Sequence, residues 1–192
     1  ETICLDLQFD AAALEAAKTA DVKLVQGNVE TDLSALRDNS HDVIVMRQLI
    51  EHLRDPRAAL LGLHKKLSPD GLLVIDTPNR GGWDYRLFKR RYWGGYHIPR
   101  HFHLFTQASL VKLIEDCGYR IYLKGYLPSL AFWIISFRNK LGLNSIERGS
   151  SFWEFLYLKN LPVAGAFFVF DLLCIKLGLQ SSNQFVLAQK SR

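Results

Sequence analysis

The chain has 192 residues, 48% of them hydrophobic and 22% charged, which is enough apolar material for one sizeable core and excludes a disordered or fibrous chain. Its formal charge of +5 suits anionic partners without singling one out, since solvated enzymes commonly carry such an excess. Cys4, Cys117 and Cys174 lie far apart in apolar patterns, which excludes a disulfide framework or a paired-cysteine zinc site and makes a reducing, cytoplasmic compartment the expectation.

Thr2 to Leu7 is a short apolar, β-branched run that reads as a strand ending at Asp6, followed by an alanine-rich helix from Ala11 to Lys18 that Asp10 can cap. Val22 to Gln26 reads as a second strand, closed by Gly27-Asn28. The unbroken apolar run Asp42 to Met46 predicts a third strand, buried on both faces. Asp55 and Pro56 predict the start of a helix reaching Lys66, with Pro56 suited to its first turn, and Gly71 to Asp76 reads as a fourth strand after a Pro-Asp-Gly turn.

From Thr77 to Phe105 the pattern breaks into a long loop rich in Gly, aromatic, Arg and His residues; loops of that length in compact domains are usually functional. Thr106 can cap a helix running to Cys117, where Gly118 stops it, and Tyr119 to Leu123 reads as a fifth strand. Two apolar helices, Leu127 to Leu143 and Leu161 to Leu179, are interrupted by Arg138 and Lys140 and by Asp171 and Lys176, which argues against membrane-spanning segments. Core packing, cover for a greasy substrate, contact with a bilayer surface and a dimer contact all stay open for them. Gln184 to Gln189 closes the chain as a last strand.

Strands alternating with helices predict an α/β fold with a mainly parallel sheet and ligands at the carboxyl ends of the strands. Asp6, Asn28, Arg47, Gln48 and the loop from Thr77 to His103 fall there. A carboxylate at Asp6 can accept both hydroxyls of a ribose, or merely cap a helix. An imidazole titrating near neutrality is a natural base for a hydroxyl proton, and an extended segment would put His101 and His103 on one face. Both could equally cap the next helix. Arg86, Lys89, Arg90 and Arg91 alternate with Tyr85, Phe88, Tyr92 and Trp93, a mixture suited to a phosphate and a base, a phosphorylated sugar, a lipid headgroup or plain solvent.

The stretch His41 to Gly71, above all Leu-Ile-Glu-His-Leu-Arg-Asp-Pro from Leu49 and the later Ser-Pro-Asp-Gly, resembles the middle of class I S-adenosylmethionine-dependent methyltransferases. Cys4-Leu5-Asp6-Leu7-Gln8 is similar to the segment whose acidic residue holds the cofactor ribose, and Gly27-Asn28-Val29-Glu30 to the turn that meets adenine. The resemblance extends from Thr2 to Tyr122 and implies a doubly wound, Rossmann-like sheet, mainly parallel with an antiparallel last strand. It divides a single domain into a cofactor-binding core (1–125), an apolar helical insertion (126–182) and the last strand (183–192).

It further implies S-adenosylmethionine as cofactor, with Asp6 and Leu7 at the ribose, Gly27, Asn28 and Val29 at the adenine, and Arg47 and Gln48 beneath the methionine half. Two subgroups, the ubiquinone-pathway O-methyltransferases and the small-RNA terminal 2′-O-methyltransferases, hold a divalent cation with acidic and His residues of this stretch. That carries over onto Glu51 and His52, with His103 as a further ligand, although Gln48 stands where those subgroups place a carboxylate. His52, His101 and His103 become the candidate catalytic bases.

The family opens with a strand, a glycine-rich turn and a helix, and the chain begins after that point, so a unit of about 30 residues is expected to be missing from the sheet. The expected reaction is methyl transfer to an oxygen, ahead of a nitrogen, of a small-molecule, lipid or sugar acceptor, with peripheral membrane contact open and RNA ranked below. A nucleotide-binding oxidoreductase and a non-catalytic scaffold that binds a membrane or a partner are the rival readings.

Overall fold

The computed structural model describes residues 2–89, 91–142 and 161–191; Glu1, Arg90 and the expected helix end at Leu143 lie outside them. Two parallel strands, β1 (Thr2–Asp6) and β2 (Val22–Gln26), form one sheet and are joined by helix α1 (Ala11–Ala20). The Asp10 carboxylate accepts from the Ala13 amide at 2.7 Å, the expected cap, and satisfies one of the orphan amides of the first turn.

A second sheet has the order β3-β4-β6-β5, made of β3 (His41–Arg47), β4 (Leu67–Pro78), β5 (Tyr119–Leu127) and β6 (Asn183–Lys190). β3 pairs parallel to β4, while β6 inserts antiparallel between β4 and β5. Helix α2 (Pro56–Lys66) makes the parallel crossover, capped by Asp55 on the Ala58 amide, and α4 (Gln107–Asp116) begins with a reciprocal Thr106–Ser109 capping box. Gly118 ends α4 at φ +86°, a left-handed conformation that a glycine takes without steric cost.

Alternate residues of the second sheet, Met46, Leu73, Ile75, Val186 and Ala188, pack with Leu60 and Leu63 of α2 and Leu110 and Ile114 of α4 into the main core. β3 therefore buries one face only. Val43 and Val45, expected to be buried, are each 54% exposed, because among the described residues β3 is the edge of its sheet and nothing covers its second face to that depth. β1 likewise pairs on one side alone.

The long loop is more regular than its sequence suggests. It holds a short helix α3 (Trp83–Phe88) and a 3₁₀ turn (Gly94–Tyr96), and packs its aromatic residues on helix α5 (Leu130–Lys140). Phe88, Trp93 and Trp133 form a second, smaller core, with Phe167 of helix α6 (Leu161–Lys176) stacked on Trp133 at 6.1 Å. The fifth strand runs on to Leu127, so the first apolar helix starts three residues later than its pattern implies.

Candidate functional site

β3 and β4 end side by side, with Arg47 opposite Asp76. The Asp76 carboxylate accepts from Arg47 Nε at 3.2 Å, from the Gln48 amide at 3.2 Å and from Gln48 Nε2 at 2.9 Å. Gln48 Nε2 also reaches Asn183 Oδ1 at 3.1 Å. These bonds hold Gln48 at φ +46°, a strained conformation of the kind that accumulates at functional sites when the surroundings over-determine it. His97, in the facing loop, is held at φ +39°.

The chain then makes a 3₁₀ turn, Ile50–His52. Its Glu51 side chain is buried; Oε2 accepts from Thr77 Oγ1 at 2.8 Å, and Oε1 has no hydrogen-bond partner among the described residues. Burial pushes the Glu51 carboxyl up, opposed by the Thr77 hydrogen bond. The Glu51 carbonyl accepts from the amides of Phe102 and His103, which docks the His97–His103 segment over the turn.

Two imidazoles are thereby fixed beside the Glu51 carboxylate. His52 Nδ1 lies 2.9 Å from the Arg100 carbonyl and His101 Nδ1 lies 2.8 Å from the Gly95 carbonyl. A carbonyl can only accept, so each Nδ1 carries a proton and donates it there. The rings meet edge to face at 4.7 Å. Burial, reinforced by His52 and His97 alongside, lowers His101 to about 4, so it is neutral at physiological pH.

One ligand atom each from Glu51, His52 and His101 fall within 4.8 Å of one another. His103 does not join them. Its Nε2 lies 3.4 Å from the Arg54 carbonyl and its ring stacks on Phe105, so the residue that stands with Glu51 and His52 is His101, expected as a base, and not His103, expected as a base and third ligand. The two rings do not share a site wall: His101 turns to the Gly95 carbonyl at the end of the turn that begins at His97, while His103 turns to the Arg54 carbonyl and Phe105.

Gln48, Glu51, His52 and His101 line a cavity of about 560 Å³ whose far wall is Arg91 with Phe132 and Ile135 of α5. The volume is that of a small-molecule site. Asp6 lies in a separate open groove of about 600 Å³ against α1. It accepts one long bond, 3.5 Å from the Gln8 amide, and so keeps acceptor capacity for hydroxyl groups. Leu7 is exposed and uses its carbonyl to receive Gln26 Nε2.

Gly27, Asn28 and Val29 form a turn away from the imidazoles. A Cβ on Gly27 would stand 3.3 Å from the Asp32 carbonyl oxygen, Asn28 Oδ1 accepts from the Glu30 amide, and the Val29 side chain belongs to the main core. The structure thus gathers Gln48, Glu51, His52 and His101, and leaves Asp6, Leu7, Gly27, Asn28, Val29, Arg47 and His103 outside their cavity. Sequence reasoning missed Asp76, Asn183, Phe132 and Ile135. Asp76 closes a strand and was within reach of the rule that ligands gather at strand ends; Phe132 and Ile135 are ordinary apolar helix residues and carried no signal.

A family model described as a methyltransferase domain matches residues 4–124. The ubiquinone biosynthesis O-methyltransferase of Rickettsia bellii (strain OSU 85-389) is 27% identical over 108 residues, which are 52% of this chain and 45% of that protein. The chain therefore spans about half the length of the curated relatives it matches. Among solved structures, a SAM-dependent methyltransferase from Thermotoga maritima superposes with a TM-score of 0.60 at 16% identity, over 99% of this chain and 73% of that one. Phosphoethanolamine N-methyltransferase 2 of Haemonchus contortus, bound to S-adenosyl-L-methionine, gives 0.59 at 16% identity, over 99% and 43%. Such identities establish a shared fold. With the family match covering well over half its length, the chain belongs to the methyltransferase-domain family and has the Rossmann-like fold of class I S-adenosylmethionine-dependent methyltransferases.

Proposed function

We propose that the protein transfers a methyl group from S-adenosylmethionine to an oxygen of a small-molecule, lipid or sugar acceptor. The observation that carries the oxygen acceptor is the pair of imidazoles, His52 and His101, each locked through Nδ1 by a backbone carbonyl at a cavity of small-molecule size. A hydroxyl needs its proton removed as it attacks, and His101, kept neutral by burial, is ready to take it. The likeness to an O-methyltransferase supports the same choice.

S-adenosylmethionine, when bound, supplies a sulfonium methyl with a good leaving group, so the protein's task is chiefly to orient the acceptor and exclude water. The residues fit that cofactor in kind: Asp6 offers a carboxylate to ribose hydroxyls, Asn28 a polar turn for adenine, and Arg47 and Gln48 a strained strand end fixed by Asp76. Phe132 and Ile135 give the acceptor an apolar wall and Arg91 a cationic one.

A second reading concerns a divalent cation held by Glu51, His52 and His101. The buried Glu51 carboxylate, whose Oε1 has no partner among the described residues, together with the two nearby imidazoles is a donor set of the right kind, and the carbonyls on each Nδ1 are the usual outer partners of ligating histidines. Manganese binding, read by electron paramagnetic resonance without cofactor or acceptor and abolished in Glu51→Gln, tests it; unchanged binding in that variant refutes it. The main proposal is tested by S-adenosylhomocysteine release with phenol, lipid and sugar hydroxyl acceptors beside matched amines. Turnover of hydroxyl acceptors supports it, and turnover of amines alone overturns it.

A further inference from the structure

Helix α6 is apolar on every side, yet among the described residues only one stripe of it is covered. Ala164, Phe167, Asp171 and Cys174 face inward, while Leu161, Val169 and Leu173 are exposed by 77%, 54% and 53%, and Leu177, just past the helix, by 79%. Its rotation is not free. The buried Asp171 carboxylate accepts from the Ser129 amide at 2.6 Å, Trp133 Nε1 at 3.3 Å and Ser181 Oγ at 2.7 Å, so turning the helix to hide its outer face would strand a charge. The outward apolar stripe is built in.

Among the described residues, the exposed charges on the helices packed with it are of one sign. Helices α3, α5 and α6 contain two carboxylates, Asp84 and Asp171, and both are buried. The exposed charges on these helices and on the turn after α3 are Arg86, Lys89, Arg91, Lys140 and Lys176. They belong to one body: Lys140 lies over the Phe88 ring of α3, Phe88 packs on Phe137 of α5, and Phe137 on Phe167 of α6. No helix of the described residues is long and apolar enough to cross a membrane.

We infer that the outer face of α6, with the basic groups of α3 and α5 around it, docks on the surface of an anionic lipid bilayer. A helix with large apolar side chains outward, in a body whose exposed charges among the described residues of α3, α5 and α6 are cations, is suited to lie in the headgroup layer, where its side chains leave water and its cations meet lipid phosphates. α5 joins this face to the cavity: its Trp133 and Phe137 support α6, while Phe132 and Ile135 line the site. A docked enzyme would meet acceptors carried by the membrane. The docking itself does not depend on the methyl-transfer reading.

Co-sedimentation of the full gene product with vesicles of phosphatidylcholine, with and without about one third phosphatidylglycerol, tests this. The protein is expected to pellet with the anionic vesicles and to be released by raised salt. Val169→Asp/Leu173→Asp should weaken binding by more than about tenfold, with an unchanged melting temperature to show that it folds. Lys89→Glu/Lys176→Glu, which leaves the apolar face intact, should weaken it by about fivefold per residue. Absence of vesicle binding, or binding indifferent to both variants, overturns the inference. So does a lipid-free dimer that Val169→Asp/Leu173→Asp dissociates, since the face would then belong to a second copy. Vesicle binding without S-adenosylmethionine binding would refute the proposed activity and leave the docking standing.

Discussion

Asp84 gives the sharpest stability prediction. Its carboxylate is buried where α3 meets the start of β6, accepting from Trp93 Nε1 at 3.1 Å and from Ser182 Oγ. Burial outweighs those hydrogen bonds and raises it from 3.8 to about 6. Each pH unit between unfolded and folded values is worth about 1.4 kcal/mol, so the site carries about 3 kcal/mol of pH-dependent stability. The folded chain holds this proton more tightly than the unfolded chain, so stability is greatest below pH 4, declines as pH rises towards 6, and is level above. Asp84→Asn cannot titrate. Urea unfolding of both proteins from pH 4 to pH 7 should show wild type losing about 2.4 kcal/mol relative to the variant, the part of that total that falls in this window. A difference constant to within about 0.5 kcal/mol would refute the account of Asp84 as a buried, protonating carboxyl.

Leu60 of α2, fully buried in the main core, should cost about 2–5 kcal/mol when cut to Ala, read by chemical denaturation. Tyr119→Phe removes the bond from its hydroxyl to the Leu60 carbonyl at 2.8 Å and should cost about 1 kcal/mol in the same assay. His101→Ala should slow methyl transfer by about 10²- to 10⁴-fold while leaving cofactor affinity unchanged, whereas His103→Ala should change the rate by less than about threefold. Because His101 titrates near 4, its loss as a base should show in the rate only on the acid side of about pH 5.

Local signals were legible and long-range ones were not. Asp10, Asp55 and Thr106 cap their helices because a cap is decided within four residues, all visible in the sequence. The apolar character of Val43 and Val45 could not say whether anything lies over them; burial is a property of the neighbours a strand acquires. Asp171 reads as a charge that breaks an apolar helix, but three donors from α5 and the turn before β6 take it into the interior, a convergence no sequence window contains. The imidazole site was half visible. Glu51 and His52 stand together after a strand, yet choosing His101 over His103 required the turn that begins at His97.

In the proposed function, S-adenosylmethionine is held at the strand ends of this chain. Calorimetric titration of S-adenosylhomocysteine into the full gene product, in wild type and Asp6→Ala, tests it most directly. The account predicts one-to-one binding that Asp6→Ala weakens by about tenfold or more, the usual worth of hydrogen bonds to a carboxylate. Absence of binding by a folded wild-type protein would contradict it.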